Sequence, residues 1–447
     1  MAASMFESAL YARLFPTGDV GRLFTDSAEI RAMLLVEGAL ARVQGASGLI
    51  PPDSAAAIAR AAHEVQIDGA GLAPATGANG VSVPALVTAL RDAMQAPEHA
   101  QFVHWGATSQ DIIDTALMLR LRQALTLIET DLQDTLATLA GLAETHAERP
   151  MAARTYGQHA TPTSFGALAA AWGMPLLNLL AELPGLRDSC LLVSLSGAAG
   201  TASELGPQPA RLRSELALAL NLHDPGHGWH TDRTPLLRIA DWLTRLTLAL
   251  GKLGEDTSQM MQSGIAEITL TGAGGSSTMP QKQNPVAPSV LVALARQTTG
   301  QLATLQGAGM PRNQRDGAAW FTEWLCLPQI VLGAAAASRT AMSLCADITP
   351  QAEPMSHGLT QGLGLIHAEA LSFVLATQMP RPKAQAAVKT LCRQALDGGI
   401  PLAELAAQAY PDLDIAALFD PARQMGQAPA QARDFAHRVA RDLPPRS

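Results

Sequence analysis

Apolar residues recur at intervals of three and four along much of the chain, the period of a helix with one buried face. The longest such pattern covers residues 111–149: Ile113, Leu117, Leu121, Ala124, Ile128, Leu132, Leu136 and Leu139 fall on one stripe, and Pro150 stops it. These 39 residues hold no proline and one glycine, Gly141. Unbroken, they would span roughly 58 Å at 1.5 Å per residue, which predicts an elongated bundle rather than a small domain. A second long pattern opens at Thr234-Pro235, read as N-cap and first helical residue, and continues to about Gln262. Further helices are predicted over 286–305, 318–344, 28–44, 165–183 and 210–220. Convincing period-two segments are absent, so the predicted class is all-α. Three regions follow: 1–105 with shorter helices, 106–358 with the long ones, and 359–447 with shorter helices after a proline-bearing linker.

Composition narrows the function. The chain is 48% hydrophobic and 16% charged, too apolar for disorder and ample for a large core. Its 31 basic side chains face 39 acidic ones, a formal charge of −8 that argues against a nucleic-acid or anionic-membrane binder. The first residues lack a basic segment leading into an apolar one, so no signal peptide is expected. No apolar run approaches the ~20 residues needed to span a membrane. A cytoplasmic protein is expected. Cys190, Cys326, Cys345 and Cys392 lie far apart with no C-x-x-C pair, which points to free thiols rather than a disulfide framework or a zinc site.

Three segments stand out from the core pattern. In residues 268–295 the only charge is Lys282, one of four lysines against 27 arginines. Gly272, Gly274, Gly275, Ser276 and Ser277 precede it, and Met279-Pro280 and Asn284-Pro285 fix the chain before a helix starts. Backbone N–H groups near a helix start, with an ammonium and an amide close by, make an anion site; a plain linker has no need of a lone lysine. The second segment is Phe102 to Ala116, FVHWGATSQDIIDTA, in which His104, Thr108 and Ser109 stand just before the longest helix. Capping explains one hydroxyl but not the whole His-x-Gly-x-Thr-Ser, so functional and structural readings stand side by side. The third is Arg154 to Gly166, RTYGQHATPTSFG, where Gln158 and His159 precede Thr161-Pro162, a predicted helix start. Alone, His159 reads as an ordinary structural histidine. No P-loop or metal-ligand pattern accompanies any of the three.

Together, and in this order, the segments resemble the fumarase/aspartase superfamily, whose signature loop is G-S-S-x-M-P-x-K-x-N-P. Here it stands as Gly275-Ser276-Ser277-Thr278-Met279-Pro280-Gln281-Lys282-Gln283-Asn284-Pro285, with every fixed position matched. The resemblance extends over nearly the whole chain. It implies a three-domain all-α fold with a long central bundle, a homotetramer around a twenty-helix core, active sites shared between subunits, and no cofactor. It also implies addition or elimination across a C–C bond adjacent to a carboxylate.

Two departures separate the chain from adenylosuccinate lyases, the nearest alternative. Those enzymes read R-T-H-x-Q where Arg154-Thr155-Tyr156-Gly157-Gln158 stands here, so Tyr156 replaces their general-acid histidine. Their phosphate-gripping R-D-x-S-H-S-S-x-E is replaced by Arg315-Asp316-Gly317-Ala318-Ala319-Trp320-Phe321-Thr322-Glu323. A nucleotide phosphate would lose its neutral donors there. The resulting W-x-x-E-W, Trp320 to Trp324, is similar to carboxymuconate cycloisomerases, although i, i+4 core packing explains the tryptophans equally well.

The resemblance therefore implies lactonisation of a small tricarboxylate. By signature position Ser276 matches the proton-transfer serine, with Lys282 stabilising its alkoxide and His159 a further acid/base candidate. Lys282 and Asn284 would hold a carboxylate. His104, Thr108, Ser109, Arg154, Gln158, Ser277, Met279 and Arg315 complete the expected substrate-binding set.

Overall fold

The structure is a computed structural model and describes residues 4–272, 274–275, 279 and 282–443. Among them are 18 α-helices, and the protein is 67% helical, as the apolar period predicts. The long helices run Ser109–Thr145, Phe165–Cys190, Thr234–Met260, Val286–Gln306 and Gly317–Asp347. Helix starts agree closely with the punctuation in the sequence: Thr234-Pro235 opens one helix, and Val286 follows Asn284-Pro285 directly. C-terminal ends drift by more; the helix from Phe165 runs to Cys190, beyond the predicted end near residue 183.

The chain packs as two compact units. The first comprises Met1–Asp131, Leu179–Leu248 and Ala293–Thr340; the second comprises Leu132–Asn178, Ala249–Val292 and Ala341–Ser447. All five long helices contribute residues to both.

In the first unit, helix Asp26–Ala46 lies against Pro52–Glu64 so closely that a Cβ on Gly45 would sit 2.4 Å from that of Ala55. Only glycine permits that approach. Trp229 and Trp242 are buried, and their indole N–H groups donate to the carbonyls of Val193 at 2.9 Å and Leu179 at 3.0 Å. Each thus buries a large apolar ring without leaving a polar atom unpaired.

In the second unit, Phe165 meets Trp172 edge-on at 6.0 Å, and Trp172 donates to Asp256 at 2.8 Å. A separate apolar cluster, including Leu371, Leu375, Val388, Leu391 and Leu402, joins the short helices near the C-terminus.

Two sequence expectations need correction. Residues 150–164 form an antiparallel hairpin, Pro150–Thr155 with Gln158–Ser164, so Thr161-Pro162 lies in a strand and is not a helix start; the next helix begins at Phe165, where the apolar period places it. The clue was the Tyr156-Gly157 dipeptide: both residues take left-handed φ, 52° and 74°, as a two-residue turn between right-twisted strands requires. Shorter pairs join Ile268–Leu270 to Ile348–Pro350 and Gly274–Gly275 to Gln283–Asn284. Second, two helices, Phe165–Cys190 and Gly317–Asp347, are long and apolar enough to cross a membrane by length and composition, whereas no such run was expected. Their apolar windows are 50% and 72% buried inside the protein, so core packing accounts for much of that composition.

All four cysteines are free thiols; three are buried, Cys392 is half-buried, and burial pushes the Cys345 thiol up to about 12.

Candidate active site

Within the first unit, polar residues gather at the N-terminus of the helix Ser109–Thr145. Asp111, wholly buried, organises them. Its Oδ1 accepts from the backbone N–H of Ser196 at 2.8 Å, His230 Nε2 at 2.8 Å and Ser194 Oγ at 3.3 Å. Its Oδ2 accepts from the N–H groups of Gly197 at 2.9 Å and Thr108 at 3.1 Å. Five donors on one carboxylate satisfy an otherwise costly buried charge and tie the 194–197 loop to the helix start.

One turn on, Asp114 accepts two hydrogen bonds from Arg233, at 2.8 and 3.1 Å, and Glu323 accepts two more from the same guanidinium, at 2.7 and 2.8 Å. Arg233 also stacks over Trp229, 4.9 Å from the ring centre. Burial holds the Glu323 carboxyl above its ordinary range against the pull of Arg233, and Asp114 adds to the rise. Two carboxyl groups thus share one guanidinium in this buried cluster.

Arg315 differs. Its Nε donates to Gln110 Oε1 at 3.0 Å, and its Nη2 donates to Thr108 Oγ1 at 3.1 Å and the Ala198 carbonyl at 3.2 Å. All three acceptors are neutral, so its positive charge has no carboxylate among its hydrogen-bond partners. Gln110 is in turn fixed through its Nε2, which donates to the His230 carbonyl at 3.0 Å and to Asp114. The Thr108 hydroxyl therefore serves Arg315 rather than capping the helix. Ser109, the first helical residue, is half-buried.

His104 precedes these residues in the left-handed region at φ 64°, with Nδ1 2.6 Å from Glu37 Oε1. Burial opposes charging its ring, but the Glu37 carboxylate more than compensates and raises its pKa above the ordinary histidine value. Gly106, at φ 72°, is indispensable: a Cβ there would lie 2.5 Å from the carbonyl oxygen of Glu204.

Within the second unit, the hairpin holds Arg154, Gln158 and His159. Arg154 Nη1 and Nη2 donate to Glu267 Oε2 and Oε1 at 2.7 and 2.8 Å. It is half of a bidentate ion pair, not a spare cation like Arg315. Gln158 and His159 are exposed, and burial together with the Arg154 charge holds the His159 pKa below its ordinary value despite Glu267. Tyr156, at the turn, is fully exposed. In the same unit Lys282 is exposed and Asn284 half-buried; Asn284 lies opposite Gly274 in the short strand pair, and Met279 is exposed. Ser276 and Ser277 lie outside the described residues. Of the tryptophans, Trp320 is buried against Trp324 at 5.0 Å, whereas Trp324 lines a pocket of about 350 Å³ with Ile30, Met33 and Ile113. A groove of about 550 Å³ lined by Glu182, Arg238, Asp241 and Arg245 contains none of the candidate residues.

Sequence reasoning did not single out Glu37, Asp111, Asp114, Arg233, His230, Glu267 or Glu323. A signal existed for Glu37, a lone carboxylate in the apolar run Leu34 to Ala41. No local pattern links residues more than a hundred positions apart, such as Asp114 and Arg233.

Comparison with known proteins agrees with this picture. A family model described as "Lyase" matches residues 17–300. A 3-carboxy-cis,cis-muconate cycloisomerase of Pseudomonas aeruginosa is 36% identical over 433 residues, 94% of this chain and 94% of that protein. A nitrosuccinate lyase of Streptomyces davaonensis is 34% identical over 447 residues, 96% and 94% of the two chains. The crystal structure of the 3-carboxy-cis,cis-muconate lactonizing enzyme from Pseudomonas putida superposes with a TM-score of 0.92 at 35% identity, covering 97% of this chain and 99% of that one. Its full-length match and fold place the chain in the lyase family of the fumarase/aspartase superfamily.

Proposed function

We propose that the chain closes 3-carboxy-cis,cis-muconate to 4-carboxymuconolactone. The observation that carries this reading is the nearly full-length similarity to cycloisomerases bearing that substrate's name. The replacement of phosphate donors by Ala318, Ala319, Trp320 and Phe321 favours it over adenylosuccinate cleavage.

In the reaction a substrate carboxylate oxygen adds to an alkene carbon of the same molecule. A proton goes to the neighbouring carbon, alpha to another carboxylate. The enzyme must fold the substrate into reactive geometry and stabilise the enediolate-like charge that develops. Arg315 supplies an uncompensated cation, steadied by Gln110 and Thr108, for one carboxylate. Lys282 and Asn284 hold a second, with Ser109, Gln158, Ser277 and Met279 lining the remainder. Ser276 delivers the proton. Arg154 acts through Glu267 by stiffening the hairpin that carries Gln158 and His159. His159, biased toward its neutral form, is suited to proton exchange rather than to holding an anion.

Members of the family are typically homo-oligomers acting on small carboxylates. We infer a homotetramer with active sites shared between subunits. Support comes from Tyr156, Gln158, His159 and Lys282, exposed side chains with no hydrogen-bond partner among the described residues. The three-region division at about residues 105 and 358 belongs to the same reading, supported by the separate apolar cluster around Leu371 and Leu402.

Incubating the protein with 3-carboxymuconate tests the assignment directly. Loss of the diene absorbance with formation of the lactone is expected. No turnover, with turnover of nitrosuccinate or adenylosuccinate instead, would overturn it. Lys282→Ala should raise KM roughly ten- to hundred-fold, the value of a charge-assisted hydrogen bond, with a smaller fall in kcat. An unchanged KM would remove Lys282 from the binding set.

A further inference from the structure

Glu37 occupies an unusual position. It lies mid-helix in Asp26–Ala46, among Val36, Ala39, Leu40 and Ala41, and is 1% exposed. A carboxylate there needs a compensating partner. Its Oε1 meets His104 Nδ1 at 2.6 Å, while its buried Oε2 has no hydrogen-bond partner. His104 reaches that contact from a backbone conformation that residues with a Cβ rarely adopt. Its side chain remains 18% exposed, and its Nε2 has no hydrogen-bond partner among the described residues.

We propose that Glu37 is the positioning residue of an anion subsite: it grips Nδ1 of His104 and leaves Nε2–H as a donor for a substrate carboxylate, four residues from Thr108. The choice of ligand rests on the cycloisomerase reading; the Glu37–His104 device does not.

The charged groups acting on His104 are Glu37 and Asp111, which favour the imidazolium, and Arg91, which opposes it. Arg91 also donates to the Val103 carbonyl at 2.9 Å, and Gln44 donates to that of Trp105 at 2.7 Å, so both neighbours of His104 are tethered. With Nδ1–H held by a carboxylate, protonation at Nε2 turns the open ring nitrogen from an acceptor into a cationic donor. His104 would thus supply a further cation beside Arg315 and Lys282. A base would need the opposite protonation state.

Glu37→Gln separates charge from shape, because the amide oxygen still accepts from Nδ1. In full-length protein with histidine-selective isotope labelling, the His104 resonance is identified by its disappearance in His104→Asn. Wild-type His104 is expected to titrate above its ordinary value of 6.5 and to fall back toward it in Glu37→Gln. In the same variant, KM for 3-carboxymuconate should rise by about tenfold between about pH 6 and pH 8, more steeply than in wild type, with kcat nearly unchanged. Loss of a merely structural glutamate would not steepen that pH dependence. Titration of wild-type His104 at or below 6.5 would overturn the proposal, as would a Glu37→Gln KM that stays flat and equal to wild type. The wild-type titration decides even if the variant does not fold. Failure of wild type to turn over carboxymuconate would instead refute the substrate assignment, leaving the histidine titration to judge the pair by itself.

Discussion

Arg233→Met is expected to destabilise the fold by about 3–5 kcal/mol, because it strands two buried carboxylates around an apolar side chain. Asp114 is 0% exposed, and Arg233 and Glu323 are 3% exposed each, so water cannot replace the four lost hydrogen bonds. The loss should depend on pH with a defined sign. Burial already holds the Glu323 carboxyl above its ordinary range, and removing Arg233 raises it further. A folded-state pKa above the unfolded value favours folding where the group is protonated and loses that contribution as pH rises through the folded value. Arg233→Met should therefore be least impaired in mild acid and progressively weaker toward alkaline pH. Denaturant midpoints across that range provide the measurement. Arg233→Lys should recover only part of the loss, since one ammonium cannot reproduce a planar fork bidentate to two carboxylates. A wild-type midpoint at neutral pH in Arg233→Met would show that the cluster contributes no stability.

Ser276→Ala is expected to lower kcat by about 10²–10⁴-fold, the usual contribution of a positioned proton donor, while KM stays near wild type. A serine hydroxyl is a weak acid, so the step requires nearby positive charge or N–H donors to stabilise the alkoxide. Lys282, six positions downstream, is the proposed source. Stopped-flow decay of the diene absorbance gives both constants. Near-wild-type turnover would remove the serine from the chemistry.

Much of the helical framework was legible because its signals are local. Apolar spacing along residues 113–139 and the Thr234-Pro235 start depend on neighbours within a few turns. The 150–164 hairpin was missed because its strands are short and partly exposed, and Pro162 suggested a helix start. The signature motif exposed Lys282 and Asn284 to inspection, but sequence gave Arg154 and Arg315 equal standing. Only their partners separate them: a carboxylate for Arg154, neutral oxygens for Arg315. Asp111 and Asp114 read as ordinary acids near a helix start, and their partners lie 119 positions away at His230 and Arg233.

The Tyr156-Gly157 turn has an evolutionary consequence. Tyr156 has no intramolecular packing to lose, so its exchange for another residue that tolerates the left-handed backbone should affect folding little, typically within about 0.5 kcal/mol. Asp111, whose five donors knit separate stretches of backbone, has no such freedom. Inherited variation at such a tip would let descendants of one scaffold acquire new reactions.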